Sequence, residues 1–277
     1  YPDRAAAHAG HAAAIAGRAD FAAADAGFRR AIALAPDNLA IWSALLFHHH
    51  YRADGDRAAH RRDLADFDAA FGGPLRATWR PHANDRAPDR RLRVGYVSPD
   101  FRMHSCAFFA HPLLAAHDPG EVEVYAYADV AKPDAMTQRF MAAARHWRPT
   151  HRKSDETLAG MIRDDRIDVL IDLAGHTAGS RLGVFARKPA PIQVNWLGYP
   201  GSTGLSAIDY RLTDAVADPP GAEADAVEQL VRLPDGFLCY EGPANAPDVS
   251  PSPAAAAKAV TFGCFNNAQK ITAEVVA

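Results

Sequence analysis

RLRVGYVSPDFRMHSCAFF, residues 91–109, divides into a buried-strand pattern, a polar turn holding Asp100 and His104, and an apolar helix. Strand, turn and helix make up the repeating unit of an α/β sheet, and ligands in such sheets bind just beyond the carboxyl ends of the strands. A carboxylate and an imidazole four residues apart in that turn are acid/base equipment where a substrate would lie. Ser105 is spaced to cap a helix starting at Cys106, which sets His104 beside a helix N-terminus.

Working outward, strand-like runs recur at 92–97, 122–127, 168–173, 192–197 and 210–212. Helix-like runs lie between several of them, at 106–117, 136–145, 155–165 and 180–187. That alternation predicts a parallel, Rossmann-like sheet with helices on both faces, spanning residues 91–244. Residues 1–71 carry a helical period instead. Within them Phe21, Ala24, Phe28, Ala31 and Pro36 sit at the offsets of the second half of a tetratricopeptide repeat, and Trp42 falls where a next repeat wants its aromatic. One full match and one partial match are too few for a free-standing solenoid, so the chain is expected to begin inside, or at the end of, a longer array. Residues 72–90 and 245–258 are rich in Pro and read as linkers. After the second linker, 259–263 reads as the first strand of a further domain, with a helix from near Thr272; residues 259–277 are thus expected to be its truncated start.

Bulk properties exclude several classes. A net charge of −3 gives no general attraction to nucleic acid or to anionic membrane, and no apolar run is long enough for a span. Cys106, Cys239 and Cys264 are odd in number and lack metal-type spacing, which suits a reducing, cytoplasmic setting better than a disulfide framework. There is no GxxxxGK[ST] and no GxGxxG. His48–His50 are consecutive, so on a helix they point apart and cannot share a metal. The pairs Asp54/Asp56 and Asp66/Asp68 lie away from strand ends and read as solvated charge.

Three further segments could carry chemistry. PAPIQVNWLGYPGSTG, 189–204, runs from a strand into a glycine-rich turn that allows close backbone approach to a sugar or phosphate. GHTAG, 175–179, presents His176 and Thr177 on a similar turn. FNNAQK, 265–270, sets Asn267 and Lys270 where a diphosphate could be met.

Together these segments resemble the O-linked N-acetylglucosaminyltransferases, in particular the bacterial homologues of the nucleocytoplasmic enzyme. The likeness rests on RLRVGYVSPDF with His104, on RKPAPIQVNWLGYPGSTG, on IDYRLTD at 208–214 and on FGCFNNAQK at 262–270. The resemblance implies two Rossmann-like domains facing each other across a cleft (the GT-B arrangement), with tetratricopeptide repeats in front. It implies inverting transfer of N-acetylglucosamine from UDP-N-acetylglucosamine to serine or threonine hydroxyls of proteins, without a metal or other cofactor. His104 then corresponds to a base or key contact and Asp100 to a carboxylate involved in proton removal. Lys270 corresponds to the lysine that stabilises the leaving diphosphate, with Asn267 beside it. Leu197, Gly198 and Pro200 correspond to the loop near the sugar, and His176 and Tyr199 fall on the acceptor side. The partners implied are protein or peptide acceptors, the UDP-sugar and the remaining C-terminal half of the catalytic region. Alternatives left open are another UDP-sugar, an asparagine acceptor, or a non-catalytic repeat module that only binds partners.

Overall fold

The computed structural model describes residues 4–18, 20–52, 55–243, 245–267 and 270–271. Four helices come first: α1 (Ala5–Ala16), α2 (Phe21–Leu34), α3 (Leu39–His49) and α4 (Arg57–Phe67). Three of them start on a carboxylate or amide cap: Asp20 accepts the Ala23 N–H, Asn38 those of Ala40 and Ile41, and Asp56 that of Ala59. Helices α1 and α2 form a hairpin so close that a Cβ on Gly27 would sit 2.9 Å from the Ala12 Cβ. Ala24, Phe28 and Ala31 are buried in it. The Trp42 indole N–H donates to the Pro36 carbonyl at 2.8 Å, which fixes the entry of α3.

A π-helical turn (Asp68–Gly72) and the short α5 (Gly73–Arg76) lead out of the extension. The expected linker is docked rather than loose. The Trp79 indole donates to the Ala186 carbonyl at 2.8 Å, and the Asn84 amide to the Ile167 carbonyl at 3.1 Å.

The sheet that follows has strands β1 (Leu92–Ser98), β2 (Val122–Ala128), β3 (His146–Pro149), β4 (Val169–Asp172), β5 (Ile192–Asn195), β6 (Tyr210–Thr213) and β7 (Gln229–Arg232). Their order is β3-β2-β1-β4-β5-β6-β7, every pair parallel. The chain crosses from one side of β1 to the other between β3 and β4, so the carboxyl ends of β1 and β4 flank the crevice where ligands bind in such sheets. Helices α6 (Ala107–Ala116) and α7 (Ala135–Ala143) cover one face, while α8 (Asp155–Asp164) and the short α9 (Leu182–Phe185) cover the other.

Alternation along the strands explains the two layers. Val94, Tyr96, Val124 and Ala126 pack beneath α6 and α7, whereas Val97, Tyr125 and Tyr127 point to α8. The second layer does not stop at the sheet domain. Trp42, Leu45, Leu64 and Phe67 of the helical extension share one hydrophobic cluster with Leu158, Leu205 and Ile208.

The structure departs from the sequence-based reading at several places. Strands β3 and β7 were not expected; both are edge strands of four residues with half-buried side chains, so their hydrophobic signal is weak. The helix expected at 180–187 is a single turn, because the chain is still leaving the 175–179 loop. Residues 259–263 form no strand: they have no ladder partner among the described residues, and Val260 and Phe262 are exposed. In the second expected linker lies α10 (Pro253–Ala257). The helix expected from Thr272 lies outside the described residues. Among those residues no helix is long and apolar enough to cross a membrane.

Candidate active site

Strand β1 ends at Ser98, whose Oγ accepts the Asp100 N–H at 2.9 Å and turns the chain. Asp100 is buried, and burial raises its carboxyl above the ordinary range against the opposing pull of His104 and Arg102. Its Oδ2 lies 3.6 Å from His104 Nδ1, and its Oδ1 lies 3.4 Å from Arg102 Nη2. Ser105 does not cap the helix. The Ala107 and Phe108 amides instead donate to the backbone carbonyls of His104 and Ser105, and His104 Nδ1 accepts the Cys106 N–H at 3.3 Å. Burial, then the nearby Asp100, pushes the Cys106 thiol up to about 11. Asp100, His104 and Cys106 bring one oxygen, one nitrogen and one sulfur donor within 4.8 Å of one another.

Strand β5 feeds the second part of the site. Leu197 has φ +79°, and the Gly198 N–H donates back to the Trp196 carbonyl at 3.2 Å, which makes Leu197 the centre of a strained γ-turn. A Cβ on Gly198 would stand 2.1 Å from the Leu173 carbonyl oxygen, so only glycine fits. Behind the turn, Arg211 Nη2 donates to the Pro200 carbonyl at 2.8 Å. Buried Glu228 receives the Ser202 hydroxyl at 2.6 Å, the Thr203 N–H at 2.7 Å and the Thr203 hydroxyl. These anchors carry no motif of their own; sequence reasoning missed both Arg211 and Glu228.

Between the two parts, Asp172 at the end of β4 is fully buried and accepts the N–H groups of Ala174 (3.1 Å) and Gly175 (2.8 Å) and the Asn195 amide (2.9 Å). Burial lifts its carboxyl to about 6. It shapes the 175–179 turn and thereby aims His176.

That aim is inward. His176 is buried, with Nδ1 2.9 Å from the Ser43 hydroxyl and Nε2 2.8 Å from the Thr203 carbonyl. Tyr199 is buried too; its hydroxyl lies 2.9 Å from His50 Nε2 and donates to the Leu46 carbonyl at 3.3 Å. Expected on the acceptor side, these two side chains pack in the joint between α3 and the sheet, where His176 borders a cavity with Ser43 and Phe47. The three histidines of α3 do point apart. His48 reaches the Phe21 carbonyl, His49 reaches Asp63, and His50 reaches Tyr199. Of the aspartates read as solvated charge, Asp66 is exposed, Asp56 caps α4, and Asp68 pairs with Arg76.

Four of the remaining residues, Leu197, Gly198, Pro200 and Lys270, line one cavity of about 600 Å³. Its wall includes Leu197, Gly198 and Pro200 from the strained turn, Ser105 and Cys106 from the start of α6, and Lys270 from the far end of the chain. Phe47, His50 and Tyr51 close it from the extension. Asn267 lies at its edge, its amide 3.4 Å from the Tyr51 hydroxyl. His104 and Asp100 are not on the wall itself; His104 adjoins it through the next residue in the chain, Ser105.

Residues 76–243 match the model of the family described as Glycosyl transferase family 41. Among curated proteins, the chain is 47% identical over 197 residues to the probable UDP-N-acetylglucosamine–peptide N-acetylglucosaminyltransferase SPINDLY of Petunia hybrida, covering 70% of this chain and 21% of that protein. It is 34% identical to the Arabidopsis thaliana protein SEC, named with the same probable activity, over 68% of this chain and 20% of that one. The chain thus spans about a fifth of these relatives' length. Among solved structures, an O-GlcNAc transferase mutant of Thermobaculum terrenum superposes with a TM-score of 0.90 at 34% identity, over 99% of this chain and 52% of that one.

Proposed function

This chain belongs to glycosyl transferase family 41, and from that premise we propose that the protein containing it is an inverting transferase moving N-acetylglucosamine from UDP-N-acetylglucosamine to serine and threonine hydroxyls of cytoplasmic proteins. The observation that carries this reading is the shared cavity. Lys270 lines it together with the 197–200 turn and with Ser105 and Cys106, the residues that follow His104 in the chain.

An acceptor hydroxyl attacking the anomeric carbon must lose its proton on the face opposite the leaving diphosphate. In this proposal His104 takes that proton, and the Asp100 carboxylate at 3.6 Å balances the charge the ring gains. The leaving diphosphate gains charge on the other side, where the Lys270 ammonium and the amide of Asn267 stabilise it. The backbone of Leu197, Gly198 and Pro200, held rigid by Arg211 and Glu228, sets the sugar between them. The further C-terminal part of the catalytic region would hold the rest of the nucleotide, with no metal needed to carry the diphosphate.

Transfer from a panel of labelled nucleotide sugars to protein acceptors, with the full-length protein, tests this. UDP-N-acetylglucosamine should be the donor used, and His104→Ala and Lys270→Ala should each lower kcat roughly 10²–10⁴-fold. Preference for another donor, or label released from asparagine rather than serine or threonine, would redirect the reading within the same class. Unchanged transfer by both variants would remove these residues from the reaction.

A further inference from the structure

Imidazole–carboxylate pairs elsewhere in this protein close to hydrogen-bond contact. His49–Asp63 and His146–Glu123 stand at 2.7 Å, His151–Asp129 at 3.2 Å and His111–Glu241 at 3.3 Å. Asp100 and His104 are held apart at 3.6 Å, too far for a hydrogen bond. Two ligands bonded at about 2.0–2.3 Å to one tetrahedral ion stand roughly 3.3–3.7 Å from each other, which this spacing matches. The third donor is the Cys106 sulfur, with all three atoms within 4.8 Å. Arg102 occupies Oδ1 of Asp100 and leaves Oδ2 on the side of the imidazole. The His104–Cys106 amide contact, at 3.3 Å, is long and readily exchanged for a stronger bond.

We propose that Asp100, His104 and Cys106 form an inhibitory site for a soft divalent cation, Zn²⁺ above all, at the back wall of the cleft. Binding forms a sulfur–zinc bond as the Cys106 thiol gives its proton to solvent, and the thiolate and carboxylate together neutralise the ion's two charges. Cys106 lines the cavity, so the site borders the cleft, and water would complete the ion's coordination. Thiolate and imidazole donors select zinc over the oxygen-seeking Mg²⁺ and Ca²⁺. Resting on the transferase reading of this cleft, the consequence is inhibition: an imidazole coordinated to zinc no longer has the lone pair that accepts the acceptor's proton.

Co²⁺ is the probe, titrated into the full-length protein while its spectrum is followed. Wild type should show a thiolate-to-cobalt charge-transfer band with intense tetrahedral d–d bands. Stoichiometric Zn²⁺ should erase both, and a large excess of Mg²⁺ should leave them intact. Cys106→Ser should lose the charge-transfer band. Asp100→Asn should keep it while weakening Co²⁺ binding, and Cys239→Ser with Cys264→Ser should leave it unchanged. A wild type without the band, or a band that survives Cys106→Ser, overturns the site. Transfer of labelled sugar, its loss on adding Zn²⁺ and its recovery with chelator are read separately. Protein that shows the band but never transfers sugar keeps the site and fails the transferase reading; protein that transfers sugar without the band does the reverse.

Discussion

His176 places its imidazole where no proton can follow without breaking the joint. Burial holds it down to about 4 against an ordinary value of 6.5, and the same cause depresses His50 and His60 to about 4. A histidine depressed in the fold takes up protons in the unfolded chain first, so stability is full above pH 6.5 and declines as pH falls from 6.5 toward 4. For fully buried His176 the loss approaches about 3 kcal/mol. Asp172, raised from 3.8 to about 6, and Asp100, also raised by burial, work the other way, losing their contribution as pH rises, but the depressed imidazoles, His48 and His117 among them, outnumber these two carboxyls. Urea unfolding should therefore show a lower midpoint at pH 5 than at pH 7, with a flatter dependence in His176→Gln; equal midpoints in wild type would refute the buried-imidazole account. At Gly198 the added methyl of Gly198→Ala must push back the Leu173 carbonyl, which should cost about 1–3 kcal/mol and raise the KM for donor more than it destabilises the fold. Asp100, His104 and Gly198 could be singled out in the sequence because residue type and strand-end position coincide, whereas Lys270 follows no strand among the described residues. Glu228 and Arg211 could not be, since a buried carboxylate that serves only backbone and hydroxyl groups has no local pattern in sequence.

Elements were legible in proportion to their burial. Strands β1 and β2 are buried on both faces over most of their length, read as continuous apolar runs and were found nearly to their ends, whereas β3 and β7, at the two edges, share their side chains between core and solvent and give little pattern to detect. The capping of α6 was misread because Ser105 supplies its carbonyl, not its hydroxyl, to the first turn. The γ-turn after β5 could not be foreseen: leucine is among the residues least suited to φ +79°, and nothing but the fixed ends of the loop imposes it. Leu197→Gly should thus relieve strain, with stability unchanged or raised by about 1 kcal/mol, while the freed turn raises the KM for donor. Chemical denaturation alongside steady-state kinetics measures both; a loss of stability with unaltered KM would mean that the turn is relaxed as it stands.

At the scale of the whole molecule, the boundary read between the helical extension and the sheet domain is a change of sequence pattern, not a break in packing. Composition shifts near residue 72, yet Trp42 and Phe67 lie in one cluster with Leu158 and Leu205, a long-range contact that no local window contains. One cooperative unit should result. Phe67→Ala should cost about 3–5 kcal/mol and lower the unfolding transition of both parts together, seen as a single calorimetric peak with coincident near- and far-ultraviolet circular dichroism. Two separated transitions would show that the parts melt independently. A second consequence concerns whatever polypeptide the cleft receives. Because Phe47, His50 and Tyr51 of the extension are walls of the same cavity as the 197–200 turn, and His50 is bonded to Tyr199, the packing of the extension on the sheet sets the width that a guest chain would meet on the proposed transferase reading. On that reading adaptability would come from the guest: supple, irregular segments would thread such a gap, whereas a serine locked in a helix or a sheet would be turned away before any chemistry begins.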